Sequence, residues 1–254
     1  MTQAIFITGG ASGIGRAVAQ LFAARGWRVG LGDVNAAGLA ETAALLHAGA
    51  ATFVFDVTDR AGWDAALAEF AAGGGIDVLF NNAGIAAGGV FAEMTPASIE
   101  RTIAINLTGV VHGAQAAHPY LKASGGCLLN TASAAGIYGT AGAAVYSATK
   151  FGVRGLTEAL DGEWAADGIR VRSLMPGFID TPLLDASLAG TNYNVRQQVR
   201  AAGLEFTPVE VVAQAAWDAV RRDAVHTPIG PTAKRMRFAA RWMPGKLRQQ
   251  MRRR

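Results

Sequence analysis

A tyrosine and a lysine four residues apart, Tyr146 and Lys150, are the residues of this 254-residue chain best suited to acid–base chemistry. Their segment has a helical pattern, and side chains at that spacing share one face of a helix. A free phenol has a pKa of about 10, so near neutral pH it is a poor base unless a nearby cation favours the phenolate. We therefore expect the Lys150 ammonium to lower the pKa of Tyr146. Such pairs also arise by chance on solvated helices, so the neighbouring motifs decide their meaning.

The N-terminal segment has the pattern of a strand, a glycine-rich turn and a helix. Apolar residues at 4–8 predict a buried strand, and Gly9, Gly13 and Gly15 follow it before a helical pattern begins. Glycines let the backbone approach a pyrophosphate, and a helix N-terminus offers free N–H groups and a partial positive charge. The pattern predicts a phosphate-binding turn, although a tight turn without a ligand is the alternative. A second predicted strand ends at Asp33, where a dinucleotide-binding unit places the carboxylate that binds the adenosine ribose.

Further motifs follow in order along the chain. Together they are Thr8-Gly9-x-x-x-Gly13-x-Gly15, Asn82-Ala83-Gly84, Asn106, Ser133, Tyr146-x-x-x-Lys150 and Pro176-Gly177. With these motifs in register from about residue 4 to 230, the chain closely resembles the short-chain dehydrogenase/reductase family. The resemblance implies an α/β fold: one Rossmann-type domain over 1–254, with a doubly wound parallel sheet of about seven strands and helices on both faces. It also implies a nicotinamide cofactor and hydride exchange between that cofactor and an alcohol or carbonyl.

Length and composition agree with this fold class. Half of the residues are apolar (51%), and a chain of this length can bury the core of one α/β domain. Apolar runs typical of buried parallel strands recur near Ile5, Val29, Phe53, Val78, Leu128, Val171 and Ile229. No apolar run approaches the roughly eighteen residues of a membrane span, and the N-terminus lacks the pattern of a signal peptide. We therefore expect a cytoplasmic protein.

Cysteine and histidine usage indicates no disulfide and no metal site. Cys127 is the only cysteine and lies in a predicted buried strand, so it is interpreted as a core residue. The histidines show no metal-ligand spacing: His47, His112, His118 and His226.

By the family resemblance, four residues form the catalytic site. Ser133 ends the fifth predicted strand, where its hydroxyl can donate to a substrate oxygen as a carbonyl accepts hydride. Tyr146 is the proton donor or acceptor, and Lys150 also hydrogen-bonds the nicotinamide ribose. Asn106 is assigned to holding water in a proton relay. From the residues alone, Asn106 could equally be a core amide with satisfied hydrogen bonds.

The resemblance also assigns the residues that bind the cofactor. Asp56 and Val57 are expected to hold the adenine, although a helix cap is the alternative for Asp56, and the backbone near Ile179 and the hydroxyl of Thr181 hold the nicotinamide carboxamide. The full predicted set is Gly9, Ser12, Gly13, Ile14, Gly15, Asp33, Val34, Asp56, Val57, Asn82, Ala83, Gly84, Tyr146, Lys150, Pro176, Gly177, Ile179 and Thr181.

Charge favours NAD over NADP as that cofactor. A carboxylate at Asp33 would repel the 2′-phosphate of NADP, while it would accept hydrogen bonds from the ribose hydroxyls of NAD. In the family, NADP users tend to carry a basic residue before the second motif glycine or after the second strand, where this chain has Ser12 and Val34. Arg16 is the one charge that would favour NADP. Its place on the first turns of a helix is, however, typical of a solvated surface residue.

The stretch 182–206 has no regular pattern and predicts a lid over the substrate. Its larger apolar residues, which could instead pack against the body of the protein, are Leu183, Leu184, Leu188 and Tyr193. Residues 85–87 and 137–138 are expected to add apolar lining. Three charged residues could enter the pocket: Asp185, Arg196 and Arg200. We therefore expect an uncharged, lipophilic secondary alcohol or ketone as substrate.

The C-terminal segment 234–254 is strongly basic and is not explained by the family. It contains nine Lys or Arg and no acidic residue, so positions 1–233 carry a formal net charge of −5. Apolar residues recur in it at roughly helical spacing, and Pro244 and Gly245 interrupt the pattern. A peripheral contact with an anionic membrane is one interpretation. A solvated tail, or one docked on a neighbouring subunit, is the favoured one. No aromatic stacking platform accompanies the charge, so nucleic-acid binding is not expected.

Two classes of function remain open from the sequence. An NAD-dependent dehydrogenase or ketoreductase is favoured, because Asn106, Ser133, Tyr146 and Lys150 are all present. A non-catalytic dinucleotide-binding sensor or scaffold is the alternative. The resemblance further implies a homo-oligomer, a dimer or tetramer, built through helices near 106–120 and 151–167.

Overall fold

The computed structural model describes residues 2–47 and 49–252. Its strands are β1 (Ala4–Thr8), β2 (Arg28–Asp33), β3 (Ala51–Val54), β4 (Val78–Asn81), β5 (Cys127–Thr131), β6 (Arg170–Pro176) and β7 (His226–Ile229). They form one parallel sheet in the order β3-β2-β1-β4-β5-β6-β7. The predicted doubly wound sheet of seven strands is confirmed.

Helices connect the strands and cover both faces of the sheet. They are α1 (Gly13–Ala24), α2 (Ala36–Ala44), α3 (Arg60–Ala72), α4 (Pro96–Ile103), α5 (Gly109–Ser124), α6 (Ala144–Glu163), α7 (Val195–Ala201), α8 (Val209–Ala219), α9 (Gly230–Trp242) and α10 (Pro244–Arg252). In residues 2–47 and 49–252, no helix combines the length and the apolar character that crossing a bilayer requires.

The two faces of the sheet pack into separate cores, as the two-residue repeat of a strand requires. On β1, Ile5 and Ile7 point to the face covered by α1 and α8, where Phe22 and Val212 complete the packing. Phe6 points to the opposite face, covered by α3 and α5, among the aromatic rings of Phe53, Trp63 and Phe70. All of these residues except Phe53 are less than about 3% exposed, so burial on both faces explains the unbroken apolar run of β1.

The order of the strands places a crevice at the carboxyl ends of β1 and β4. From β1 the chain first builds outward through β2 and β3, and then returns to continue through β4 and β5 on the other side. The loops that leave β1 and β4 therefore diverge, and in open α/β sheets a ligand binds at such a point of reversal.

The stretch 182–206 is more regular than its sequence pattern indicates. Helix α7 lies within it and begins with a capping box, in which Asn194 and Gln197 bond to each other's backbone N–H groups. The prediction of a wholly irregular segment is therefore wrong for α7, whose single buried residue, Val199, is too little to give a visible helical repeat.

The basic C-terminal segment is also folded onto the domain in its described part. Helix α9 buries Ala233 and packs Met236 and Ala240 against a small core with Val153 and Ile137. Helix α10 follows after the predicted break at Pro244 and buries Leu247. The interpretation of 234–252 as a solvated tail is therefore wrong. Arg253 and Arg254, the last two cations of the segment, lie outside the described residues.

Candidate active site

A cavity of about 940 Å³ occupies the crevice and continues along the stretch 182–206, which we call the lid after its predicted role. Every residue predicted to bind the cofactor, except Gly15, lines this cavity. Ser133 also lines it. Gly15 and Asn106 lie behind the wall and act on residues that line it, as their contacts show.

The turn between β1 and α1 depends on glycine at three positions. Gly9 and Gly13 have φ angles of +68° and +51°, where a side chain would be strained. A Cβ on Gly15 would collide with the carbonyl oxygen of Gly9. The side-chain amide of Asn82 donates to the Thr8 carbonyl at 3.0 Å, which ties the turn to the end of β4. The backbone is thus open beside the first turn of α1, and this environment fits a pyrophosphate.

The carboxylate of Asp33 is fixed at the rim of the cavity, at the end of β2. Its Oδ2 accepts a hydrogen bond from the Ala11 N–H at 3.1 Å and its Oδ1 one from the Asn35 N–H at 3.0 Å. Two backbone donors therefore orient the group that the sequence assigns to the ribose.

Arg16 is held against α2 and is not a freely solvated residue. Its guanidinium donates to the Thr42 hydroxyl at 2.9 Å, to the Ala11 carbonyl at 2.6 Å and to the Glu41 carboxylate at 2.9 Å. The interpretation as a solvated surface residue is therefore wrong. Because Glu41 offsets its charge, Arg16 braces α1 against α2 rather than presenting a free cation.

Asp56 and Val57 lie at the adenine end of the cavity. The Asp56 carboxylate accepts hydrogen bonds from the backbone N–H and the hydroxyl of Thr58, each at 2.8 Å. The cap of α3 is Asp59, whose side chain accepts from the Ala61 N–H. The helix-cap alternative for Asp56 is therefore wrong. Asp56 instead shapes the turn before the cap, and its side chain lies on the cavity wall.

Tyr146 and Lys150 begin α6 and are close in space, as their spacing predicts. Lys150 is only 3% exposed, and its Nζ donates to the Thr131 carbonyl at the end of β5 at 2.8 Å. The same nitrogen lies 5.6 Å from the centroid of the Tyr146 ring. Loss of hydration disfavours the charged amine and lowers the pKa of Lys150 to about 8.

The pKa of the Tyr146 phenol is raised, whereas the sequence led us to expect that Lys150 lowers it. Burial is the larger influence, because it disfavours the phenolate, and a hydrogen bond with the Ser133 hydroxyl offsets only part of it. Lys150 bonds to Thr131 rather than to the phenol oxygen, which explains why its influence is not dominant. Ser133 also accepts a hydrogen bond from the Ala135 N–H at 3.1 Å, which orients its hydroxyl.

Asn106 lies fully buried in a π-helical turn, Ala104–Thr108, between α4 and α5. Its amide donates to the Ile85 carbonyl and accepts from the Ile85 N–H, both at 2.8 Å. Asn106 is therefore a core amide with satisfied hydrogen bonds, which was one of the two interpretations from the residues. Its two bonds to Ile85 fix the loop after β4 beside the cavity. The role in holding water stays a prediction.

The lid places apolar side chains on the cavity and keeps its charges off it. Leucines and valines of the lid line the cavity: Leu183, Leu184, Leu188, Val195, Val199 and Leu204. Arg196 pairs instead with Asp180 and Asp185 and donates to the Thr181 carbonyl at 2.9 Å. The expectation that Asp185, Arg196 and Arg200 could enter the pocket is therefore wrong. Residues 85–87 line the cavity as expected, but Ile137, Tyr138 and Tyr193 do not.

Helix α9 contributes a wall that we did not predict from the sequence. Thr232 and Met236, one turn apart, line the cavity. Glu205, at the end of the lid, accepts from the Thr232 hydroxyl at 2.9 Å and pairs with Arg235 through both carboxylate oxygens, at 3.0 and 2.9 Å. The positions of Ala233, Met236 and Ala240 follow a helical spacing that could have indicated a buried face. The many Lys and Arg residues between these positions make the apolar spacing hard to recognise in the sequence.

Comparisons with known proteins agree with this geometry. The family model for short chain dehydrogenases matches residues 3–192. L-2,3-butanediol dehydrogenase of Corynebacterium glutamicum is 38% identical over 203 residues, which cover 76% of this chain and 79% of that protein. A short-chain dehydrogenase from Streptomyces avermitilis has a similar solved structure, with a TM-score of 0.85 and 26% identity over 100% of this chain and 96% of that one. The 3-ketoacyl-(acyl-carrier-protein) reductase from Brucella melitensis, solved with NADH, has a TM-score of 0.77 and 30% identity, covering 85% of this chain and 89% of that one.

Taken together, the crevice, the sheet and these matches define an oxidoreductase that binds a nicotinamide dinucleotide. The chain belongs to the short-chain dehydrogenase family.

The contacts of Glu205 predict that this residue holds the lid to α9. In Glu205→Ala, which loses the bonds to Thr232 and Arg235, we expect trypsin to cleave after Arg200 roughly threefold to tenfold faster, because local opening exposes the lid. Cleavage rates read by mass spectrometry test this. Glu210→Ala, which removes an exposed carboxylate outside these contacts, is the matched control and should cleave like the unmodified chain. Equal rates in all three proteins would show that the contact does not restrain the lid.

Proposed function

We propose that this protein is an NAD-dependent dehydrogenase or ketoreductase that acts on an uncharged, lipophilic secondary alcohol or ketone, with Tyr146 as the general acid and base. The observation that carries the proposal is the convergence of Tyr146, Ser133 and Lys150 on one cavity with a largely apolar far wall. The alternative, a non-catalytic sensor or scaffold, would not need a buried lysine beside a partly buried phenol that lines the cavity.

Residues of the crevice fit a nicotinamide dinucleotide along its whole length. Gly9, Gly13 and the start of α1 would hold the pyrophosphate, Asp33 the adenosine ribose, and Lys150 the nicotinamide ribose. The residues near Ile179 and Thr181 would orient the carboxamide. When bound, this cofactor supplies or accepts the hydride.

The proton chemistry is assigned to three side chains. In the direction of ketone reduction, Ser133 donates a hydrogen bond to the carbonyl oxygen, and Tyr146 delivers its proton there as negative charge develops. A raised pKa keeps that proton on Tyr146 near neutral pH, which is the state that reduction needs. Alcohol oxidation needs the phenolate instead. Lys150 carries its positive charge below its pKa of about 8 and stabilises the phenolate when it forms.

An apolar wall supports an uncharged substrate. The lid directs leucine and valine side chains into the cavity and pairs Arg196 with Asp180 and Asp185 outside it. Burial of a charged substrate group against such a wall would be costly without a partner. The butanediol dehydrogenase relative acts, by its name, on an uncharged molecule with two secondary alcohols, which agrees with an uncharged secondary alcohol as substrate.

We also propose a homo-oligomer, a dimer or tetramer, built through α5 and α6. Both helices expose large apolar side chains, Val111 on α5 and Phe151 on α6, each 41% exposed. Ile103, at the end of the adjoining α4, is exposed to the same extent. Association of two copies through these helices would remove that apolar surface from water.

Removal of the phenol hydroxyl tests the catalytic assignment. In Tyr146→Phe, we expect turnover to fall by a factor on the order of 10² to 10⁴, because no group remains to exchange a proton with the substrate oxygen. NADH affinity, measured by fluorescence titration, should stay within a few-fold. Tyr120→Phe removes a phenol outside the cavity and should leave turnover unchanged. Turnover of Tyr146→Phe equal to that of the unmodified enzyme would exclude the assignment.

The carboxylate of Asp33 predicts the choice of cofactor. We expect kcat/KM to favour NAD over NADP by at least about tenfold, equivalent to about 1.4 kcal/mol, because Asp33 repels the 2′-phosphate. Asp33→Ala should narrow this ratio, measured with both cofactors and one substrate. Asp64→Ala, a control at an exposed carboxylate paired with Arg60, should not change it. Equal use of both cofactors by the unmodified enzyme would contradict the prediction.

A further inference from the structure

Helix α9 has two chemically different faces. Its inner face carries Thr232 and Met236, which line the cavity, and Ala233, which is fully buried. Its outer face carries Phe238 and Trp242, which lie one turn apart and are 58% and 66% exposed. Two large exposed aromatic side chains on one turn of helix form an apolar patch, and such patches mark interaction sites.

Cations surround the aromatic pair. Exposed Lys and Arg side chains on α9 and α10 are Lys234, Arg235, Arg237, Arg241, Lys246, Arg248 and Arg252. Of these, Arg235 is paired with Glu205, and the guanidinium carbon of Arg241 lies 5.3 Å from the centroid of the Trp242 ring. No acidic residue follows Asp223 in the sequence, so no carboxylate on α9 or α10 can neutralise these charges.

We propose that this outer face of α9, together with α10, binds the surface of an anionic lipid bilayer. Phe238 and Trp242 enter the boundary between headgroups and acyl chains, while Lys234, Arg237 and Arg241 keep their charged ends at the lipid phosphates. Charge complementarity selects this partner. Net positive charge is found only in the C-terminal segment, since positions 1–233 carry a net −5. The rest of the domain is thus repelled from the anionic surface, which orients the molecule with α9 toward it.

This orientation has a consequence for the cavity. Met236 and Phe238 lie on nearly opposite faces of one helix, so the cavity wall is about one helix diameter, roughly 10 Å, from the bound surface. A lipophilic substrate dissolved in the bilayer would therefore reach the lid over a short path. The consequence rests on the proposed function, whereas the lipid binding itself does not.

Co-sedimentation with lipid vesicles tests the binding without any measurement of activity. The full chain should sediment with vesicles of equal parts phosphatidylcholine and phosphatidylglycerol at low salt, stay in solution with phosphatidylcholine alone, and be released from the anionic vesicles as salt screens the charges. The double variant Phe238→Ser/Trp242→Ser should bind the anionic vesicles at least about tenfold more weakly. Phe91→Ser, at a residue 59% exposed on another surface, is its control and should bind like the unmodified chain.

The cations are tested in the same assay with a charge-matched pair of variants. Lys234→Gln/Arg237→Gln/Arg241→Gln should lose binding, whereas Arg60→Gln/Lys122→Gln/Arg222→Gln, with the same change in net charge, should keep it. Thermal unfolding of each variant verifies the fold.

Failure of the full chain to sediment with anionic vesicles would overturn the proposal, as would equal losses of vesicle binding in both triple variants. Loss of mass by light scattering in the α9 variants, with no vesicle binding by the full chain, would identify a second copy as the partner instead. Binding of duplex DNA without binding of vesicles would identify nucleic acid.

Discussion

A buried ammonium beside a partly buried phenol is the constraint on which the rest of the site depends. Removal of the Lys150 side chain from water is costly, and its bond to the Thr131 carbonyl compensates only in part, since its pKa falls to about 8. The backbone packs closely around Lys150 and Asn106. A Cβ on Gly136 would lie 2.7 Å from the Lys150 carbonyl oxygen, and a Cβ on Gly84 would lie 3.1 Å from Asn106 Oδ1. The end of β5, the start of α6 and the loop after β4 are therefore fixed together.

Much of the fold and of the cofactor crevice could be predicted from the sequence, because local chemistry determines those parts. The strand β1 must be apolar on both faces, and the turn that follows it must contain glycine where a Cβ would strain or collide, as at Gly9 and Gly15. Such requirements leave unambiguous residue patterns. The spacing of Tyr146 and Lys150 is equally direct, since a single helix sets it.

The properties that escaped prediction arise from contacts between distant segments. The pKa of Tyr146 depends on loss of hydration and on the Ser133 hydroxyl, so the direction of its shift could not be obtained from a neighbour four residues away. The position of Arg16 in the sequence is typical of a surface residue, whereas in the structure α2 places Glu41 beside it. The inner face of α9 is hard to recognise in the sequence, because the buried Ala233 and the partly buried Met236 lie among cations that face solvent. In each case the deciding partner is remote in sequence.

Proton exchange by Tyr146 can be measured through the pH dependence of kcat/KM for oxidation of a secondary alcohol that carries either hydrogen or deuterium at the carbinol carbon. Because oxidation needs the phenolate and burial raises the pKa of Tyr146, we expect log kcat/KM to rise with pH with a slope of one across the neutral range, and Tyr146→Phe to lack this rise. A flat profile with a full isotope effect, or the same rise in Tyr146→Phe, would show that another group exchanges the proton.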